Sequence, residues 1–269
     1  MTVVAVLSMK GGVGKTTVAL GLASAAWDRS LRTLVIDMDP QANASLVLEP
    51  VDAVFTTSDV LADARPGVAV DAIVPSAWGR GIDVLPAERS LEHRTVSRER
   101  NSALRLRTAL ATTPRSYDLV VIDCPPSLGE LTRNALSTAD CAVIVTEPSH
   151  FAIHGAAEAL EAVDVIARST NPMLRARAVV VNRFDPADRE HLGNLRLLHE
   201  AHGELVQDPP LPYCAGIPVT QRAMSPLHAW NSPGSQEVAQ TMDDLLDRLM
   251  PPARPARPMP RVSLARYLA

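Results

Sequence analysis

Lysine is almost missing from this 269-residue sequence. Of its 26 basic residues, two are lysine, Lys10 and Lys15, and the remaining 24 are arginine. A GC-rich genome swaps Lys for Arg on solvated surfaces, but that bias does not explain why both surviving lysines share one glycine loop. A compact ammonium fits a crowded phosphate cradle where a planar guanidinium does not. Aromatic residues make up 3%, so a core must be built from Ala, Val, Leu and Ile. The three cysteines, Cys124, Cys141 and Cys214, are scattered, which excludes a disulfide framework and any familiar metal spacing. Cys141 lies in an apolar run and is expected in the core. No apolar run is long enough to span a membrane. The run from Val3 to Leu7 is too short for a signal peptide. Net charge is −4, so any nucleic-acid contact must come from a local patch and not the whole surface. These absences lead to the expectation of a soluble, reduced, cytoplasmic protein.

What is present alternates. Strands are expected at Val3–Ser8, Thr33–Asp37, Ile82–Leu85, Leu119–Asp123, Cys141–Thr146 and Ala178–Asn182. Helices are expected near Thr16–Arg29, Arg89–Ala111, Ile153–Ala167, Ala187–Ala201 and Val238–Met250. Residues 45–80 carry loop signals and are hard to assign. The alternation predicts an α/β fold, a doubly wound and mostly parallel sheet with helices on both faces. A single domain is expected over residues 1–250. Residues 251–269 hold five prolines between Pro251 and Pro260 and four arginines with no acid. That tail is expected to be extended or disordered, either inert or a weak electrostatic tether to a polyanion.

The first strand leads into Lys10-Gly11-Gly12-Val13-Gly14-Lys15-Thr16-Thr17. The phosphate-loop pattern G-x-x-x-x-G-K-[ST] is met from Gly14 onward, but Met9 stands at its first glycine. Three glycines let backbone amides curl round phosphate oxygens, and a helix starting there adds its positive end. Lys15 is expected on the β- and γ-phosphates, and the Thr16 hydroxyl on Mg²⁺. Asp37 and Asp39 end the second strand in V-I-D-M-D-P-Q-A-N-A-S. Asp123 ends L-V-V-I-D-C-P-P-S-L-G. Acids at the carboxyl ends of parallel strands line the ligand crevice of such a sheet, and a strand ending in Asp is the Walker B pattern of Mg²⁺ binding.

The extra lysine, with D-M-D-P-Q-A-N and D-C-P-P-S, resembles the ParA/MinD family of deviant Walker A ATPases. The resemblance runs from Val3 to about Met250. It implies the P-loop NTPase fold and Mg²⁺-dependent hydrolysis of ATP. It implies that Lys10 reaches the nucleotide of the other subunit in an ATP-bound homodimer, as an arginine finger does in trans. It implies that Asp39 positions the attacking water, that Asp37 supports the Mg²⁺ shell, and that Pro125-Pro126-Ser127 senses the γ-phosphate. Asn182 matches an Asn that hydrogen-bonds adenine in several members, or else it caps its own turn. Gly216-Ile217-Pro218 resembles the late loop over the base, which puts Pro218 in the nucleotide site. Asn182-Arg183-Phe184-Asp185 also faintly resembles the guanine motif of GTPases. Arg183, Arg189 and Arg222 stand where DNA-contacting residues are expected, and such contacts would go to phosphates and be salt-sensitive.

The implied function is ATP-dependent DNA partition of a plasmid or chromosome. The ATP dimer would bind DNA non-specifically, associate with the nucleoid, and be released when a ParB-like partner stimulates hydrolysis. A chain that opens on its first strand is expected to lack the N-terminal DNA-reading extension of larger ParA proteins. One alternative is a MinD-like membrane-positioning ATPase, but the segment Arg261–Ala269 is short for a membrane-lying helix, so no stable membrane association is expected. Another is a metabolic enzyme resembling dethiobiotin synthetase, which the D-M-D-P-Q segment fits poorly. The cysteine spacing gives no support for a nitrogenase-iron-protein-like cluster.

Overall fold

The computed structural model describes residues 1–79, 81–94, 101–113, 116–214 and 216–250. The expected proline/arginine tail therefore lies outside the described residues. Seven strands form one sheet: β1 (Thr2–Leu7), β2 (Thr33–Asp37), β3 (Val74–Pro75), β4 (Ile82–Leu85), β5 (Leu119–Asp123), β6 (Cys141–Thr146) and β7 (Arg175–Val181). Their order is β3-β4-β2-β5-β1-β6-β7. All neighbours run parallel except β3, which pairs antiparallel with β4 at the edge.

Buried strands read as continuous apolar runs because both faces are covered. Along β1, Val3, Ala5 and Leu7 enter one apolar cluster, and Val4 and Val6 enter the cluster on the opposite face. The first face is covered by α3 (Thr57–Asp63), α4 (Arg105–Leu110), α5 (Glu130–Thr138), α6 (His150–Ser169) and α7 (Arg189–His202). The second is covered by α1 (Lys15–Asp28) and α9 (Pro233–Leu249). Two short helices, α2 (Asn43–Leu48) and α8 (Gly216–Arg222), stand beside the loops at the carboxyl ends of the strands. The doubly wound architecture is the expected one.

Among the described residues, the expected helix over Arg89–Ala111 is not continuous, and residues 95–100 of it lie outside them. Its described parts are a 3₁₀ turn at Arg89–Arg94, a second at Ser102–Leu104, and then α4. Asn101 sits at φ 67°, a left-handed conformation that a continuing helix excludes. Conversely, α5 was not expected. Its inner face buries Thr132, Asn134 and Ser137 as well as Leu131, Ala135 and Leu136.

Candidate functional site

Strand order reverses around β1, and this places the loop after β1 at the mouth of the crevice between its neighbours. Gly12 and Gly14 both have positive φ, 82° and 93°. A Cβ added at Gly14 would lie 2.1 Å from Asn182 Nδ2, so only glycine fits there. Gly14 also caps α1 without a side chain. The amides of the first helical turn are therefore left to face the loop, where an anion satisfies them. Ser8 braces the start of the loop, its hydroxyl accepting from Lys10 N at 3.2 Å and donating to Lys10 O at 3.3 Å. Lys15 is buried at the head of α1.

The acids meet beside this helix head. Asp37 of β2 and Asp123 of β5 are register partners in the sheet, and both are fully buried. The Thr16 hydroxyl donates to Asp123 Oδ2 at 2.7 Å. Asp123 Oδ1 is buried with no hydrogen-bond partner among the described residues. Burial, then the Asp37 charge, hold the Asp123 carboxyl well above the usual carboxylate range, against the Thr16 hydrogen bond and the Lys15 ammonium. A buried carboxylate with one vacant oxygen beside a threonine hydroxyl fits a hard cation that keeps most of its own water. The residues present thus fit Mg²⁺.

Asp37 is engaged differently. Its Oδ1 accepts from Asp39 N at 3.0 Å, and its Oδ2 from Ser45 N and Oγ at 2.8 and 2.7 Å. Burial pushes it up to about 6, against the Ser45 and Asp39 hydrogen bonds. Both of its oxygens hold the segment that starts α2. Asp39 is nearly buried and accepts from Gln41 N at 2.9 Å.

Across the loop, Asn182 donates its side-chain amide to Val13 O at 2.8 Å, which props the phosphate loop from behind. A cavity of about 250 Å³ opens beside it, lined by Thr17, Asn182, Arg183, Tyr213, Pro218 and Gln221 among others. Gln221 also donates to Thr17 Oγ1 at 3.1 Å. The two ends of the sequence motif set, Asn182 and Pro218, thus line one cavity next to the loop.

Lys10 reaches across to the end of β6. Its ammonium, on a half-exposed side chain, meets Glu147 Oε2 at 3.1 Å. Glu147 Oε1 takes Arg183 Nη1 at 2.7 Å. Arg189 and Arg222 are exposed, at the start of α7 and the end of α8. The three arginines lie on separate segments, and Arg183 is committed to an ion pair. Glu147, Ser45 and Gln221 were not singled out in the sequence. Glu147 carried a readable signal, an acid one residue past the carboxyl end of β6.

The family model for the AAA domain matches residues 1–176. The chromosome partitioning protein ParA of Myxococcus xanthus is 34% identical over 187 residues, which cover 68% of this chain and 65% of that protein. This chain therefore spans just under two thirds of the length of that relative. The sporulation initiation inhibitor protein Soj of Bacillus subtilis is 34% identical over 199 residues, 71% of this chain and 75% of Soj. Among solved structures, cobyrinic acid a,c-diamide synthase from Mycobacterium smegmatis with bound ATP analog and magnesium superposes with a TM-score of 0.74. It is 27% identical and covers 92% of this chain and 95% of its own. With its phosphate loop, its paired strand-end acids and these relatives, the chain belongs to the ParA-type family of P-loop ATPases.

Proposed function

We propose that this chain is a partition ATPase whose ATP-bound homodimer binds DNA without sequence preference and is released by hydrolysis that a ParB-like partner stimulates. The observation that carries this reading is Lys10. It is a second loop lysine, half exposed and paired with Glu147, whereas Lys15 is buried. A half-exposed charge placed there is available to a nucleotide on a facing subunit.

In this reading the loop amides and Lys15 bind and neutralise the phosphates. Thr16 and Asp123 hold Mg²⁺, which when bound offsets charge on the β- and γ-phosphates. Asp39 orients the attacking water. Asp37 acts through Ser45 and the Asp39 amide, fixing the segment that carries Asp39, and is not a direct cation ligand. The base enters the cavity between Asn182 and Pro218. Arg189 and Arg222 are the exposed candidates for phosphate contacts with DNA, with Arg183 freed only if its pair with Glu147 opens. ATP turnover coupled to dimerisation makes a two-state switch.

Sedimentation velocity with ATPγS, ADP and no nucleotide tests the reading. A dimer with ATPγS alone is expected, and Lys10→Ala is expected to weaken it. A monomer in all three states contradicts the proposal. The likeness to cobyrinic acid a,c-diamide synthase from Mycobacterium smegmatis supports a second reading, an ATP-dependent enzyme acting on a small carboxylic acid. ATP turnover that depends on a small carboxylic acid and not on DNA or a partner would favour it.

A further inference from the structure

Adjacent strands β1, β6 and β7 deliver three charged residues to one spot. Lys10 follows β1, Glu147 follows β6, and Arg183 lies two residues past β7. Asn182 N donates to Thr146 O at 2.8 Å and pins the ends of β6 and β7 together. Glu147 has one oxygen on each cation, 3.1 Å to Lys10 and 2.7 Å to Arg183. Its side chain is 19% exposed, against 54% for Lys10 and 52% for Arg183. The acid is therefore the fixed member, and the flexible lysine stem is the mobile one.

We infer that Glu147 is a positioning residue that holds Lys10 on its own subunit and competes with the facing nucleotide for it. The inference rests on the reading that Lys10 acts in trans. In the lone subunit the Glu147 carboxylate satisfies the ammonium. As two subunits close, the facing phosphates must draw Lys10 away from Glu147. Arg183 keeps Glu147 from following, because it occupies the other oxygen. Dimerisation is thereby made less favourable, and a lone ATP-bound subunit persists longer before pairing. Arg183 also lines the cavity beside the phosphate loop, so the same carboxylate links that cavity to the lysine.

The test is the ATPγS-dependent dimer dissociation constant, by sedimentation or fluorescence, for wild type, Glu147→Gln, Lys10→Ala and the double variant. A partly exposed ion pair of this kind corresponds to about a two- to fivefold change. Glu147→Gln is expected to tighten the dimer by that factor, and Lys10→Ala to weaken it. In the Lys10→Ala background, Glu147→Gln is expected to change nothing. Thermal unfolding checks that each variant is folded. If Glu147→Gln does not fold, Glu147→Asp, whose carboxylate falls short of Lys10, is expected to tighten the dimer in the same direction. Unchanged or weaker dimerisation in Glu147→Gln, with Lys10→Ala still defective, overturns the role of Glu147. A tightening that persists without Lys10 overturns it too, because bare charge repulsion would then explain it. If Lys10→Ala itself dimerises normally, the reading in trans fails first and the two failures are told apart.

Discussion

Two carboxylates of neighbouring strands, buried and side by side, set the chemistry of individual residues here. Asp37 sits at about 6 in the folded chain, and Asp123 is also raised. A carboxyl raised on folding favours the folded state below its unfolded value near 4, and that advantage is lost as pH rises through the folded value. Without Mg²⁺ and nucleotide, this pair therefore destabilises the chain near neutral pH. Asp123→Asn is expected to unfold at a higher temperature than wild type at pH 7.5, with the gap narrowing toward pH 5, and to lose the stabilisation that Mg²⁺ with nucleotide gives. A lower melting temperature at pH 7.5 would contradict the charge argument. Lys15→Ala is expected to lose at least about 100-fold in ATP affinity, since it removes a buried charge-assisted contact. Titration with a fluorescent ATP analogue checks this. Gly14→Ala combines left-handed strain with displacement of Asn182 from Val13. The two together cost about 2–3 kcal/mol. Denaturant melts should show that loss, and nucleotide binding should fall with it.

At the scale of elements, α1 joins the site to the rest of the fold. It packs on α9, where Met242 is fully buried and lies against Gly21. Arg29 near the end of α1 also pairs with Asp243 and Asp247 of α9, but these exposed pairs add little. The apolar contact is what counts, so Met242→Ala is expected to lower stability by about 2–5 kcal/mol. A chemical melt indistinguishable from wild type would show that α9 does not hold α1. These elements also show what was legible in the sequence. β1, β2 and β5 could be read because each is a Val/Ile-rich run buried on both faces. The site loop could be read because glycine and lysine there have no other use. α5 could not, because it buries Asn134, whose side chain accepts from Leu106 N and donates to Glu130 O. A polar residue satisfied in the interior looks like a surface residue in sequence. Arg89–Ala111 is the opposite case. Its Leu and Arg composition suits a helix, and only the left-handed turn at Asn101 shows the break. The pairing of Glu147 is not legible in the sequence, because its partners, Lys10 and Arg183, are 137 and 36 residues away. Burial decides the cysteines too, pushing the Cys141 thiol up to about 12, so it is inert as expected.

For the whole molecule, the loop after β1, the strand-end acids of β2 and β5 and a cavity beside Asn182 gather at the carboxyl ends of the central strands. Lys10 stands beside this site, half exposed. Among the described residues, no helix is long and apolar enough to cross a membrane. Net charge is −4, so a lone subunit should bind DNA weakly. In the proposed dimer the number of exposed arginines would double, and binding to phosphates should fall steeply with salt. Arg222→Ala and Arg189→Ala are expected to weaken DNA binding across all sequences while leaving ATP affinity unchanged. Retained DNA affinity in both, measured against wild type at the same salt, would move the contact elsewhere.

The most direct measurement is fluorescence anisotropy of a random-sequence duplex titrated with the protein, in ATP and in ADP, at two salt concentrations. The partition reading predicts binding with ATP, little with ADP, and loss of the ATP-dependent binding at the higher salt. Absence of binding with ATP, once ATP occupancy is confirmed separately, would contradict it.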